Sequence, residues 1–282
     1  MIEKDLDSSK VPYKKIKKPS NYDKKVKWGM AIGLQKVDDL TPSKYLKEKV
    51  SENITGELSL EEVRKSLQEH YIKQSKLEEL DFDEYECDFV STRIVELLED
   101  DYFVLSVGYL KEIHKKLFQD VYEFAGKFRE VDFSKNEKIL NNDTVVYGEA
   151  NLLSKSLEYD FLLERQKDYK KASIVDVINY ITDFASSIWQ VHPFREGNTR
   201  TTAVFVEKYL ISMGFDIDNE LFRTRSVYFR NALVRSNYYN KYLGISKDNS
   251  GLIKFFENLL LGKNNELNSE NLIVESLFSR KK

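Results

Sequence analysis

Apolar residues recur every three or four positions through most of this chain, which is the period of an amphipathic helix. The clearest case is residues 173–191, SIVDVINYITDFASSIWQV. Its apolar stripe stops before Pro193, because proline disfavours helix in the residue that precedes it. A second strong helix is expected over residues 199–214. Further helical segments are expected at residues 82–101, 107–124, 148–167, 225–242 and 250–262.

Short helices are also expected in the first quarter of the chain, where polar caps precede apolar positions. Thr41 would cap a helix that has Pro42 in its first turn and ends at Gly56. Ser59 begins the next helix, since Glu62 three residues later completes a capping box. So small a set of helices cannot hold a strong core alone and is expected to pack against the rest of the chain.

One segment between the helices has a different pattern. Residues 127–141, KFREVDFSKNEKILN, alternate weakly between apolar and polar side chains and carry no helix signal. Alternation with period two is typical of strands, so this segment is predicted to be a β-hairpin or flap. The expected fold is therefore all-α, mainly helical, with a small β-hairpin flap.

The pattern of charge divides the chain into three regions. Residues 1–26 are polar and rich in lysine, and they are expected to form a flexible basic arm. The short helices occupy residues 27–75. A larger helical unit is expected at residues 76–282, after a polar junction.

Composition excludes several classes of protein. The 282 residues carry a net charge of −3, whereas a generic nucleic-acid binder would usually be basic. The single cysteine, Cys87, cannot form an internal disulfide or a cysteine-based zinc site, which favours a reducing compartment. No apolar run approaches the length of about 18 residues that a membrane span needs, and the N-terminus has no apolar signal core. A cytoplasmic location without membrane insertion is therefore expected.

The connection between the two strongest helices is rich in functional groups. Residues 192–200 read HPFREGNTR. The turn ends where a helix begins, so its free backbone N–H groups would face an anion, and Gly197 allows a close approach. Asn198 and Arg200 add side-chain donors, and an arginine fork matches phosphate oxygens. We therefore predict a phosphate-binding site here.

Two further side chains of the same turn suit the transfer of a phosphoryl or nucleotidyl group. Glu196 places a carboxylate beside the expected phosphates, where Mg²⁺ is commonly held by one or two carboxylates and phosphate oxygens. His192 is a candidate general base, because imidazole titrates near neutral pH. It would deprotonate an acceptor hydroxyl, and in-line attack on phosphorus would follow. His114, on an amphipathic helix, is expected to be structural.

HPFREGNTR resembles the signature of the Fic family, H-x-F-x-(D/E)-G-N-x-R. The resemblance extends over most of residues 80–245, and it includes AGKFR before the flap and RNALVRSNYY downstream. It implies that this chain transfers AMP from ATP, with Mg²⁺, to a Ser, Thr or Tyr hydroxyl of a target protein.

The resemblance also implies roles for individual positions. His192 would be the base, Glu196 would bind Mg²⁺, and Phe194 would anchor the loop in the core. The flap, residues 129–140, would hold target backbone across the site. Nucleotide and phosphate binding is implied for Arg195, Gly197, Asn198, Thr199, Arg200, Asn237 and Tyr238, and target docking for Lys135, Asn136, Glu137, Lys138 and Ile139.

Two positions depart from the family pattern. Thr199 stands at the usual second glycine. Ala203 stands at the usual second arginine, which in relatives holds the γ-phosphate and pairs with an inhibitory glutamate. Its absence is expected to weaken triphosphate binding by about 1–3 kcal/mol, the scale of a lost charge-assisted bond. Alternatively, Ala203 is simple helix packing in a branch that grips the γ-phosphate otherwise.

The N-terminal helices resemble the small antitoxin that partners some Fic toxins, here fused to the toxin. The stretch VDDLTPSKYL…GELSLEEV carries this likeness. Alignment on L-x-P places Leu34, Asp38 and Asp39 at the serine, glutamate and glycine of the inhibitory motif S-x-x-x-E-G. Asp38 is therefore the expected regulatory residue, in a degenerate motif, and the N-terminal helices are expected to cover the site.

Three interpretations of function stay open on the sequence alone. The first is a bacterial toxin-type adenylyltransferase restrained by its own N-terminal helices, whose relatives modify type II topoisomerase subunits. The second is another Fic chemistry, namely removal of AMP or phosphotransfer, although the kinase branch has lysine where Thr199 stands. The third is an inactive module that binds a nucleotide or a partner. No membrane or nucleic-acid partner is expected, and the restraint acts either within one chain or between the chains of a homo-oligomer.

Overall fold

The computed structural model describes residues 20–217 and 219–278, and within these ranges the secondary structure is helical, without a named β-strand. The expected all-α class is confirmed. The helices are α1 (Asn21–Gln35), α2 (Lys44–Thr55), α3 (Leu60–Lys76), α4 (Phe82–Glu99), α5 (Val107–Phe118), α6 (Leu153–Arg165), α7 (Ile174–Val191), α8 (Asn198–Ser212), α9 (Glu220–Asn237), α10 (Ser250–Leu261) and α11 (Glu275–Phe278).

The flap segment does not form the predicted β-hairpin in the described part of the chain. Residues 127–149 form a loop with one 3₁₀ turn at Lys138–Leu140. The loop closes on itself, since Glu137 N–H donates to the Asp143 carbonyl at 3.0 Å. Lys135 N–H, however, donates to the hydroxyl of Thr144 and not to a backbone carbonyl. A side chain has replaced the partner that a strand ladder would supply, so the hairpin prediction was wrong.

The first helix begins earlier than the sequence suggested. Helix α1 starts at Asn21, where Ser20 and Asp23 form a capping box. The predicted boundary of the basic arm at residue 26 was therefore wrong, because the last six residues of that arm are helical. Residues 1–19 of the arm lie outside the described residues.

The N-terminal helices share one hydrophobic core with the rest of the chain. Trp28 and Leu34 of α1 are buried in this core, and α1 packs mainly against α9 and α4. Gly33 lies so close to α9 that a Cβ there would come within 2.5 Å of the Cα of Arg223. The hydroxyl of Ser226 donates to the Gly33 carbonyl at 2.6 Å. Helix α1 is therefore an integral part of the packing around the site.

A tertiary contact shifts the start of α2. The helix begins at Lys44 with Ser43 as N-cap, so the prediction of Thr41 as the cap was wrong. Buried Asp88 on α4 accepts hydrogen bonds from the Ser43 N–H at 3.0 Å and from the Ser43 hydroxyl at 2.5 Å. It also accepts one from the Tyr71 hydroxyl at 2.7 Å. Because a buried carboxylate needs such partners, Asp88 fixes the cap at Ser43. The capping boxes at Ser59 and Ser173 are present.

The loop with the HPFREGNTR motif joins α7 to α8 near the centre of this helical assembly. Helix α5 packs beside α8, and α4 lies against α1, α5 and α8. These neighbours surround the motif with buried side chains. No helix in the described ranges is long and apolar enough to cross a membrane.

A buried carboxylate on α8 is expected to make stability depend on pH. Burial raises the pKa of Glu207 from 4.5 to about 8, against smaller opposing effects of Asn219, Lys208 and Lys27. Because the folded pKa lies above the unfolded one, this group stabilises the fold fully below the unfolded pKa and loses that contribution as pH rises to about 8. The Glu207→Gln variant has no carboxyl to ionise at this position. The free energy of unfolding of this variant should therefore fall less than that of the parent between about pH 5 and pH 9.

Urea unfolding at several pH values measures this difference. The exposed Glu99 on α4 offers a matched control, and Glu99→Gln should follow the parent at every pH. Parallel pH curves for the parent and Glu207→Gln would show that the Glu207 carboxyl does not titrate in this range.

Candidate active site

The motif loop begins and ends with left-handed backbone. His192, directly after α7, has φ 48°, and Gly197, directly before α8, has φ 75°. No side chain caps the N-terminus of α8. The first N–H groups of this helix are therefore left without a side-chain cap, and their use as donors to an anion stays a prediction.

Two side chains hold the loop in shape. The side chain of Asn198 accepts from Phe194 N–H at 3.0 Å and donates to the Phe194 carbonyl at 2.8 Å. The ring of Phe194 is buried and stacks on His114, with 3.7 Å between ring centroids. Phe194 thus anchors the loop as expected. Asn198 thus uses its side-chain amide to close the loop.

His114 reaches the motif from α5. Its Nδ1 accepts from Gly126 N–H at 2.8 Å, which leaves Nε2–H to donate to the Glu196 carbonyl at 3.1 Å. Burial lowers the pKa of His114 to about 4, so the ring stays neutral in this role. The structural role expected for His114 is confirmed, and the structure shows that it fixes the backbone beside Glu196.

Arg129 is a positioning residue that sequence reasoning missed. It is buried, and its Nε donates to the His192 carbonyl at 2.9 Å. Its Nη1 donates to the Val131 carbonyl at 2.8 Å, and Nη2 donates to the Gly148 carbonyl. Its own N–H donates to the Pro193 carbonyl at 2.8 Å. One side chain therefore ties the motif loop to both ends of the loop formed by residues 127–149.

His192 is held as a neutral imidazole with one nitrogen free. Its Nδ1 lies 3.2 Å from the Trp189 carbonyl, so Nδ1 carries the proton and Nε2 carries the lone pair. Nε2 is buried without a hydrogen-bond partner among the described residues. Burial, with a smaller effect of Lys135, lowers the pKa of His192 well below its usual value. A free lone pair on a fixed tautomer is what a general base requires.

The loop of residues 127–149 covers that imidazole. The ring of Tyr147 lies 4.4 Å from the His192 ring and that of Phe133 lies 5.5 Å away, measured between centroids. Only 3% of the His192 surface is exposed. Nε2 is itself buried, so a hydroxyl group can reach it only after neighbouring side chains move, and the structure shows a closed form of the site.

Arg200 is the most heavily contacted side chain of the motif. Its Nε lies 2.8 Å from the Asp38 carboxylate, in an ion pair. Its Nη1 donates to Gln35 at 2.9 Å, and its Nη2 donates to Glu86 at 2.7 Å. The guanidinium also lies 4.8 Å from the centre of the Phe118 ring. The structure brings together Asp38 and Arg200, both singled out from sequence, whereas Gln35 and Glu86 had no signal there.

The two departures from the family pattern have structural partners. Thr199 accepts a hydrogen bond from the buried indole N–H of Trp189 at 2.9 Å, a contact that glycine could not make. The same Trp189 supplies the carbonyl that fixes the His192 tautomer. Ala203 is fully buried in α8, one turn after Arg200. No guanidinium at position 203 is available to Asp38, and Asp38 pairs with Arg200.

Glu196 is the one acidic side chain of the turn. It is 46% exposed, and its carboxylate lies 3.2 Å from Nζ of Lys135 in the flap. In the described ranges no three His, Cys, Asp or Glu side chains converge to hold a metal ion. Mg²⁺ needs only one or two carboxylates when phosphates supply other ligands, so Glu196 fits a metal that arrives with a nucleotide.

Three predicted nucleotide ligands have other contacts. Arg195 is exposed, lies 5.0 Å from the Phe124 ring and lines a groove of about 420 Å³ with Lys127. The amide of Asn237 donates to the Ser186 carbonyl at 3.1 Å and so joins α9 to α7. The hydroxyl of Tyr238 donates to Asp143 in the flap loop at 2.6 Å.

Four of the five predicted docking residues divide into an exposed and a buried group, and Lys135 is intermediate. Asn136 and Lys138 are exposed, and Lys138 lies 3.4 Å from Asp39 of the N-terminal segment. Glu137 and Ile139 are buried, and Glu137 pairs with Arg230 of α9 at 2.9 Å. Glu137 and Ile139 therefore fix the loop to the body, and any target contact at these positions falls to their backbone.

Comparison with known proteins agrees with this site. Residues 104–210 match the Fic/DOC family. The chain is 30% identical over 156 residues to "Probable protein adenylyltransferase y4lH" of Sinorhizobium fredii, which covers 55% of this chain and 77% of that relative. It is 31% identical over 112 residues to "Protein adenylyltransferase VbhT" of Bartonella schoenbuchensis, covering 40% of this chain and 22% of VbhT. It is 28% identical over 114 residues to "Probable protein adenylyltransferase Fic" of Escherichia coli, covering 40% of this chain and 54% of that relative.

The chain therefore belongs to the Fic/DOC family. The matched family segment runs from just before α5 through the flap, α6 and α7 to the later turns of α8, and it contains every residue of the motif loop. Helix α4, with Glu86, and the N-terminal segment, with Gln35 and Asp38, lie outside it.

Gly197 should tolerate no side chain. A Cβ at this position would lie 2.2 Å from the buried Phe118 ring, which is packed under Arg200. Left-handed backbone costs an alanine about 1–2 kcal/mol, and overpacking adds about 1–3 kcal/mol. Gly197→Ala should therefore lower the free energy of unfolding by about 2–5 kcal/mol in urea titrations.

Gly214 is a matched control, because it has φ +91° but open space around its Cα. Gly214→Ala should lower the free energy of unfolding only by the cost of left-handed backbone, about 1–2 kcal/mol. Equal losses for the two variants would mean that Phe118 moves aside freely and that the close packing under Arg200 is unimportant.

Proposed function

We propose that this chain transfers AMP from ATP to a Ser, Thr or Tyr hydroxyl of a target protein, with magnesium. The observation that carries the proposal is the geometry of the motif loop. A neutral His192 with a free Nε2 stands at one end of the loop, and the uncapped N-terminus of α8 stands at the other. The printed names of the relatives, one a protein adenylyltransferase and two probable protein adenylyltransferases, support the same reaction.

In the proposed reaction each residue of the loop has a separate role. Nε2 of His192 accepts the proton of the target hydroxyl, whose oxygen bonds to the α-phosphorus of ATP while the bond to pyrophosphate breaks. Backbone N–H groups at the start of α8, with Arg200, stabilise charge on the phosphate oxygens. Glu196 would hold Mg²⁺, which neutralises phosphate charge when bound. For this, Glu196 must leave Lys135.

The N-terminal segment is proposed to restrain this activity. Asp38 sits on Arg200, the side chain that the phosphates need, and Gln35 holds a second nitrogen of the same guanidinium. The arrangement supports the likeness to a fused antitoxin, and with it a bacterial toxin-type enzyme in the cytoplasm. The restraint uses Arg200 because Ala203 offers no charge.

Labelling with ATP separates the proposed reaction from its alternatives. Relative to lysate alone, the protein with magnesium, lysate and α-labelled ATP should transfer additional label, whereas with γ-labelled ATP it should add none. His192→Ala should reduce transfer by about a hundredfold or more, the contribution of a general base. His70→Ala removes a partly exposed imidazole on α3 and should have no such effect. Label from the γ position would show a kinase, and bound ATP without any transfer would show a binding module.

Removal of the Asp38 charge should activate the enzyme. Asp38→Asn keeps the size of the side chain but abolishes the ion pair with Arg200, in which the Asp38 side chain is 33% exposed. The rate at subsaturating ATP should rise by about fivefold or more, the lower end of a typical coupling between two binding events. Truncation is a poorer test, because it would remove the buried Trp28 and Leu34 and expose the core that they cover.

The neighbouring residue supplies the control. Asp39 and its partner Lys138 are both 88% exposed, so their ion pair contributes little. Asp39→Asn also suits the left-handed backbone at this position, φ 60°. An equal rise in both variants would point to a general loosening of the segment. No rise in Asp38→Asn would contradict the restraint.

A further inference from the structure

We propose that Glu86 is a positioning residue of the nucleotide site, which keeps Arg200 directed at the phosphates once the N-terminal contacts have been released. This inference rests on the proposed adenylyl transfer. It concerns a residue of α4 that lies outside both the motif loop and the family segment.

The three polar partners of Arg200 come from two different parts of the chain. Asp38 and Gln35 belong to the end of α1 and the 3₁₀ turn that follows it. Glu86 belongs to α4, which packs against α5 and α8 of the catalytic region. Phosphate oxygens and the Asp38 carboxylate seek the same positive charge, so phosphate binding has to displace Asp38. This exchange does not require Glu86 to give up its hydrogen bond from Nη2 of Arg200.

The carboxylate of Glu86 is itself firmly placed. Only 4% of the residue is exposed, and one oxygen accepts from the Tyr122 hydroxyl at 2.5 Å while the other accepts from Arg200 at 2.7 Å. Phe118 supports the face of the guanidinium from α5. Glu86 and Phe118 together fix one nitrogen and the plane of Arg200. The remaining N–H groups of the guanidinium are then left in a defined direction for an anion.

A buried arginine without such a support would still carry its charge but would turn within its site. The expected effect of losing Glu86 is therefore on the alignment of the phosphates in the transition state more than on nucleotide affinity. Removing a negative charge near the phosphates also does nothing to weaken their binding. This predicts a fall in kcat with little change in KM, a pattern that a loss of binding residues does not give.

The test uses the full-length chain with Asp38→Asn as parent, so that the N-terminal contact does not mask the effect. Rates of AMP transfer from α-labelled ATP to lysate protein are measured over a range of ATP concentrations, with thermal unfolding followed for each variant. Glu86→Gln should lower kcat by about tenfold or more, with KM for ATP within about threefold of the parent. Glu99→Gln on the same helix, an exposed position, should leave both unchanged.

Tyr122→Phe tests the same support without altering Glu86 or Arg200. It removes one hydrogen bond from Glu86 and should lower kcat alone, by about two- to tenfold. It should have no further effect in combination with Glu86→Gln, because both act through one guanidinium. If the Glu86→Gln variant loses helical structure, the Tyr122→Phe variant alone decides whether Glu86 positions Arg200.

A kcat equal to that of an active parent in both variants would overturn this inference and leave the proposed function standing. A loss of rate that saturating ATP restores would also overturn this inference. A parent that transfers no AMP would overturn both.

Discussion

A buried positive charge is the constraint on which the site depends. The Arg200 side chain is 1% exposed, and burial of an unpaired guanidinium would be very unfavourable. Asp38 and Glu86 approach it from different helical regions and, despite burial, raise the pKa of Arg200 above its usual value. Through this one charge, the N-terminal segment, α4 and the motif on α8 are held to each other. The packing of α1 against α9 places Asp38 where it can make the contact.

The closed form is built from the same groups that a substrate would use. Asp38 lies on the arginine proposed to bind phosphate, Lys135 lies on the carboxylate proposed for magnesium, and Tyr147 lies over the proposed base. Lys138 connects the flap to Asp39 beside Asp38. In the proposed enzyme, nucleotide and these internal contacts exclude one another, so binding and opening form a single equilibrium. Restraint then needs no second effector site.

The local sequence predicted those features that depend on neighbouring residues alone. The 3.6-residue period gave the helical class, and the spacing of HPFREGNTR gave His192 and the uncapped start of α8. It failed where a distant group decides the outcome. Ser43 caps α2 because of Asp88 on α4, and the flap lacks strand pairing because the Thr144 hydroxyl takes the Lys135 N–H. Arg129, His114 and Glu86 support the motif from three other elements, and neither periodicity nor motif spacing marks such contacts.

The central claim is that phosphates and the N-terminal segment compete for Arg200. Amide hydrogen exchange of the full-length chain, with and without saturating ATP and magnesium, tests it most directly. The turn after α1 is closed by Asp39 N–H to the Lys36 carbonyl and by Leu40 N–H to the Gln35 carbonyl. If nucleotide displaces Asp38, exchange at Asp39 and Leu40 should become faster in the bound protein. Unchanged or slower exchange there, with nucleotide bound, would contradict the account.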